Sequence, residues 1–347
     1  MTPDIALWLT QDGITNGAIY ALLALALLLV FAVTRVIFVP QGEFISYAAL
    51  SMGLLQLGQL PGTVWVLIGG GLLAAGFDAV KAWRERALRR LPRILALYVV
   101  VPIAMSAIAW WAAPRKLDAW LQALVVLGLV VPLGPILYRV AYQPLANASV
   151  IVLFVVSMAA HYVLTGLGLV FFGGEGLRAN AFSDASFTAG ALNVSAQSLV
   201  VIVASLVVMA ALWLFFERTL YGKALRATAI NRIGARLVGV RTEMSGSLSF
   251  LLAAFIGALS GILIAPIATI YYDTGLMIGL KGFVGAILGG MTSYPLAALG
   301  ALGVGLLESF SSFWASALKE SIVFTIIIPV LVWRSLTSRH HVEDEEE

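Results

Sequence analysis

Residues 217–243 read ERTLYGKALRATAINRIGARLVGVRTE, and the arrangement of the whole chain follows from this stretch. It holds six basic residues (Arg218, Lys223, Arg226, Arg232, Arg236 and Arg241) and two acidic ones. Long apolar runs flank it, so it reads as a large solvent-facing loop between membrane spans. Its basic excess assigns it to the cytoplasmic side. No proline interrupts it, which predicts a helix between the punctuating glycines Gly222 and Gly239. On a 3.6-residue period Ala224, Ala227, Thr228, Asn231, Ala235 and Val238 share one face, mostly small. Such a face admits close approach of another protein, and the neighbouring arginines can bond its carboxylates. The plainer reading is a solvated basic loop that only sets topology.

Outward from this loop the chain is greasy. Of 347 residues 61% are hydrophobic and 11% charged, against about 25% charged in a soluble domain. The class is an all-α integral membrane protein, because the apolar runs are span-length and lack the ten-residue alternation of an outer-membrane barrel. There is no cysteine, hence no disulfide and no thiolate metal site. The net charge of +3 reflects loops and points to no nucleic-acid partner. The N-terminus lacks a basic n-region and its first apolar run is span-length, so no cleavable signal peptide is expected.

Taken in order, the expected spans are 13–34, 44–57, 63–79, 94–113, 120–138, 149–172, 197–216, 245–270, 277–291, 296–315 and 321–333. That makes a polytopic bundle of about eleven crossings, with 44–57 and 277–291 short enough to be broken or re-entrant. The N-terminus is expected outside and the C-terminus in the cytoplasm. Residues 81–93, with six basic residues and one acidic, then form a second cytoplasmic loop. Residues 173–196 form an external loop, and 335–347 an acidic, solvated tail. The whole of 1–347 reads as one transmembrane domain.

Ionisable residues within spans are expensive and usually face a cavity or a partner. Glu43, Lys281, Glu308 and the Lys319–Glu320 pair qualify. Glu43 follows Pro40, Gln41 and Gly42, which free backbone groups that need a protein-lined or watery setting. The plainer reading of Glu43 and Lys281 is a structural ion pair or an interfacial anchor, and Lys319 and Glu320 sit at a span boundary. Gly13–Gly17, Gly257–Gly261 and Gly285–Gly289 carry the small-xxx-small spacing of close helix packing. His161 lies alone on an apolar span, expected to be hydrogen-bonded in the bundle and no metal site. No phosphate-cradling glycine loop and no catalytic constellation is present. An integral membrane enzyme therefore has nothing to support it, and the chain reads as a conduit without its own engine. An ion-coupled secondary transporter, with Glu43, Lys281 and Glu308 as a relay, stays open on these residues alone.

Four segments carry a resemblance. GITNGAIYALLALALLLVFAVTRVIFVPQGEFISYAA is similar to the N-terminal signature of permease subunits of branched-chain amino acid ABC importers. YRVAYQPLANAS resembles that family's cytoplasmic connection, GKALRATAINRIGARLVGV its coupling segment, and GLKGFVGAILGGMTSYPLAALGALGVGLLES its later glycine-rich region. The matches cover most of 13–58 and 138–334 in the family's order. Gln41 stands where the family usually has His, Gln143 departs from an aromatic-Arg-Pro site, and 62–138 is longer than usual. The resemblance implies two partner ATPases, a second homologous permease or a second copy of this chain, a periplasmic binding protein and an inner-membrane location with its lipid. It implies no cofactor in this chain, ATP and Mg belonging to the ATPases. It places ATPase coupling on Gly222, Arg226, Ala227, Asn231 and Gly239, and the translocation path at Gln41, Gly42, Glu43 and Lys281. The family also includes importers of urea and short amides.

Overall fold

A computed structural model of the chain describes residues 2–337 apart from 88, 90, 184, 190, 191 and 292; the acidic tail from 338 onward lies outside them. The helices are α1 (Pro3–Thr34), α2 (Gln41–Gln56), α3 (Thr63–Arg84), α4 (Leu91–Arg115), α5 (Ala119–Leu145) and α6 (Val150–Phe172). A short antiparallel hairpin, β1 (Ser186–Ala189) and β2 (Leu192–Ser195), pairs Ser186 with Ser195. Then follow α7 (Ala196–Arg218), α8 (Leu220–Ile230), α9 (Arg232–Leu237), α10 (Thr242–Ile264), α11 (Thr274–Leu288), α12 (Tyr294–Trp314) and α13 (Ser316–Trp333).

Among the described residues nine helices are long and apolar enough to cross a membrane, against about eleven crossings expected. The other two expected spans are α2 and α11, of 16 and 15 residues. At about 1.5 Å per residue they fall short of roughly 30 Å of hydrocarbon. The span expected over 245–270 also ends early, at Ile264. Pro266 disfavours helix at the residue before it and removes a donor, so the chain leaves α10 there.

α1 is the central post, buried over most of its length. It runs antiparallel to α12, with Gly13 opposite Leu306 and Gly17 opposite Leu302. A Cβ at either glycine would come within about 3 Å of the facing backbone, so the absence of a side chain sets this spacing. Gly257 and Gly261 meet α2 in the same way, and Gly285 and Gly289 meet α12. After α1 the chain reverses at Arg35, which adopts a left-handed conformation and donates its N–H to Phe31 O at 2.8 Å.

The basic segments collect at one end of the bundle. Lys81 and Arg93, Arg139, and the stretch from Arg236 to Glu243 line a single cavity there. Arg35 lies at the same end, beside Asn231 and Arg232. At the far end Leu177 bridges Ile270, and Gln56 Oε1 accepts from Asn180 N–H at 2.5 Å.

The tightest crossing joins Gly42 of α2 to Gly275 of α11, where a Cβ on either would overlap the other's carbonyl. Gly42→Val should cost roughly 1–3 kcal/mol or more through overpacking. Gly303→Ala, where an added Cβ meets no described atom within 4 Å, should leave stability within about 0.5 kcal/mol. Thermal melts of the detergent-purified variants check both.

Candidate functional site

Two irregular segments, 35–40 and 265–273, deliver the N-terminal ends of α2 and α11 to one place inside the bundle. Gly275 N–H donates to Ser46 Oγ at 2.8 Å, pinning the start of α11 on α2. Gln41, Gly42 and Glu43 form the first turn of α2 and are all buried. Gln41 Nε2 donates to Ala253 O on α10 at 3.0 Å. Glu43 faces the other way, toward α6. Its Oε1 lies 2.8 Å from His161 Nδ1, with Thr165 Oγ1 3.4 Å from the same nitrogen. One proton is shared across this contact, carried by either the imidazole Nδ1 or the carboxyl group. Glu43 Oε2 and Gln41 Oε1 are buried and have no hydrogen-bond partner among the described residues.

α6 is held to this centre by a few polar contacts. Besides His161, Tyr47 OH donates to Leu164 O at 2.7 Å, and the Tyr47 ring meets Phe172 edge-on at 5.3 Å. Tyr142 OH and Ser157 Oγ are 3.1 Å apart. Most of the remaining surface of α6 is exposed. The sequence offered a signal for His161 in its isolation on an apolar span, but nothing in it named Glu43, 118 residues away, as its partner.

Lys281 does not join this group. It sits on the face of α11 turned to α1 and α12, is 6% exposed, and donates from Nζ to Glu308 Oε1 at 2.5 Å. Tyr20 OH donates to the other Glu308 oxygen at 2.6 Å, so one carboxylate ties three helices together. The four residues expected to line one path thus fall into two clusters. Lys319 and Glu320 lie half-buried at the start of α13.

The single helix expected between Gly222 and Gly239 is two helices. Asn231 adopts an extended conformation and its Oδ1 accepts from Gly234 N–H at 2.8 Å, capping α9. An Asn side chain that bonds its own downstream backbone competes with the helix ladder, and here it wins. The expected small-residue face is broken with it, since Thr228 and Ala235 are buried while Asn231 and Val238 are exposed. Gly222 lets α8 fold back on the end of α7, where a Cβ would overlap the Phe215 carbonyl. Gly239 takes φ 89°, a left-handed conformation suited to glycine, and ends α9. Arg226 Nη2 donates to Glu217 Oε2 at 3.1 Å on the surface, and Ala227 is half-buried. Two links run inward: Thr228 Oγ1 to Ser245 Oγ at 3.1 Å, and Arg232 Nη1 to Ala146 O at 2.8 Å. The segment also exposes Leu220 (84%), Ile230 (81%) and Leu237 (83%).

A bundle with two broken helices meeting inside it, and a basic, apolar-studded segment at one end, can be compared with known families. The family described as branched-chain amino acid transport system / permease component matches residues 9–331. The chain belongs to this family. Among curated proteins it is 23% identical over 334 residues to the high-affinity branched-chain amino acid transport system permease protein LivH of Salmonella typhimurium, covering 92% of this chain and 91% of LivH. The permease protein BraD of Pseudomonas aeruginosa is 31% identical over 143 residues, 41% of this chain and 47% of BraD. The autoinducer 2 import system permease protein LsrC of Salmonella paratyphi B is 38% identical over 81 residues, 23% of each chain. No solved structure matches. The permease is a multi-pass protein of the inner membrane.

The permease's buried ion pair makes a sharp expectation. Lys281→Met leaves the largely enclosed Glu308 carboxylate with the Tyr20 hydroxyl and without its cation, and should cost about 3–5 kcal/mol. Adding Glu308→Leu should recover most of that loss, as a double-mutant cycle of melting temperatures would register.

Proposed function

We propose that this permease is the membrane subunit of an ATP-driven importer of branched-chain or related amino acids. Substrate comes from a periplasmic binding protein at the 173–196 side, and two ATPases dock on 217–243. The permease holds no cofactor of its own; ATP and Mg sit in the ATPases. A second permease, homologous or identical, completes the membrane part. The basic end is cytoplasmic under the positive-inside rule.

The observation that carries this reading is the surface of α8 and α9. Leu220, Ile230, Ile233, Leu237 and Val238 are all largely exposed on a segment rich in arginine, beyond the apolar part of the bundle. Large apolar side chains there favour a protein cover. Thr228 and Arg232 support transmission from this surface. Thr228 bonds the start of α10, and Arg232 holds the segment before α6. Movement of the docked ATPases would therefore reach α6 and α10 as shifts of whole helices. α6 runs past Glu43 toward the loop that bridges Ile270.

The meeting of α2 with α11 supports the path reading for Gln41, Gly42 and Glu43, since transporters commonly place substrate sites at broken helices. The donorless oxygens of Gln41 and Glu43 suit a passing solute with N–H donors, a class that includes amino acids and amides. Lys281, locked to Glu308, fits a role in holding α11 in place.

Mass spectrometry of what co-purifies with the tagged permease from its host membranes tests the assembly. Two ATPase chains and a second permease are expected; a lone chain that transports after reconstitution without ATP would replace this reading with an ion-coupled transporter. Ile233→Glu with Leu237→Glu changes only exposed positions and should lower retained ATPase by about tenfold or more. Undiminished uptake by that variant would sink the docking assignment. Asn231→Ala is the less clean probe, because loss of its cap alone costs about 0.5–2 kcal/mol.

A further inference from the structure

The basic end of the bundle holds a cavity of ≈ 900 Å³ for which transport itself requires no occupant. It opens between the α3–α4 hairpin and the start of α10, with the end of α5 as its floor. Five basic side chains face it against three carboxylates. Asp78 and Arg139 neutralise each other inside it. Arg236 Nε donates to Thr242 Oγ1 at 2.9 Å. Lys81, Arg93 and Arg241 make no ion pair or side-chain hydrogen bond among the described residues. Beside these cations the wall turns apolar at Ile94, Leu97 and Met244, with Leu97 and Met244 about half exposed. Cations and apolar side chains sharing one wall make an amphiphilic cleft at the basic end of the bundle.

We propose that this cavity binds the headgroup of an anionic phospholipid. The phosphate lies against Lys81, Arg93 and Arg241, and an acyl chain runs along Ile94, Leu97 and Met244. A soluble phosphate would use the cations and leave the apolar flank bare, which is why the lipid is the better occupant. Basic pockets between helices at the cytoplasmic boundary suit such headgroups. Arg241 immediately precedes α10, so a bound lipid braces the α3–α4 hairpin against the end of the 217–243 segment. The proposal needs no assumption about what the permease transports.

The test is lipid retention. The full-length permease is reconstituted in vesicles of equal parts phosphatidylglycerol and phosphatidylcholine, re-extracted in mild detergent, and its retained phospholipid read by native mass spectrometry. The native chain should retain phosphatidylglycerol in preference to phosphatidylcholine. Each cation contributes roughly fivefold in affinity, so Arg93→Gln with Arg241→Gln should lower retention about tenfold or more. Arg218→Gln, at the same end but outside the cavity, should change nothing. If the double variant melts early, Lys81→Gln at an exposed helix position replaces it, with about a fivefold loss expected. Retention unchanged in these variants, or lost equally in Arg218→Gln, overturns the site. Inorganic phosphate bound by the lipid-free chain and lost in the double variant, with phosphatidylglycerol retention unaltered, assigns the cavity to a soluble anion and overturns the lipid.

Discussion

Hydrocarbon offers no hydrogen bonds, so a chain that breaks two helices inside a bilayer must satisfy the freed backbone from within the protein. The rest of this bundle is arranged around that requirement. In 35–40, Val36 N–H donates to Thr34 Oγ1, Val39 N–H to Ile37 O and Gln41 N–H to Phe38 O. In 265–273 the partners come from the far-end loop. Leu177 and Ile270 exchange backbone bonds at 2.9 Å, Ala179 N–H reaches Ala265 O at 3.0 Å, and Arg178 Nε reaches Pro266 O at 2.9 Å. The loop at 177–180 therefore completes the interior as well as covering it, and a partner that moved it would disturb the backbone beside α11.

Sealing those breaks demands close packing, which glycine supplies. Gly42 against Gly275, and Gly13 and Gly17 against α12, bring backbones nearer than any side chain allows. The resulting core of α1, α2, α10, α11 and α12 is dense. Aromatic rings fill the remaining gap, with Phe38 set 4.6 Å from Phe250 and 6.0 Å from Tyr142. By contrast α6 and α7 lie mostly exposed at the periphery. Such a division suits rigid-body movement, because packed cores switch between discrete arrangements and resist gradual deformation.

Much of the site was legible one residue at a time. Pro40-Gln41-Gly42-Glu43 stood out as a polar interruption in an apolar region; the structure begins α2 at Gln41, ahead of the expected start at 44, with Glu43 fully buried. Lys281 and Glu308 stood out as charges within spans and prove to be each other's partners. The His161 partner of Glu43 and the Tyr20 partner of Glu308 could not be read from spacing, because they lie 118 and 288 positions away. The break at Asn231 was harder. Asn is compatible with both a helix interior and a cap, and the structure has the cap, with the next residue, Arg232, bonded to the distant Ala146 carbonyl.

By itself the sequence determined the solvent and the class. A chain so apolar must lie in a membrane as helices, and its cationic segments must share a side, because both follow from the composition of contiguous stretches. The cap residues Ser149, Ser195 and Thr219 likewise act on backbone three positions away. Tertiary structure decided the rest. Gathering Lys81, Arg93 and Arg241 around one cavity, placing Lys281 apart from Glu43, and making α2 and α11 short helices that meet inside the bundle all depend on contacts between distant parts of the chain. Those contacts arise from steric fit between helices, which residue type and period do not encode.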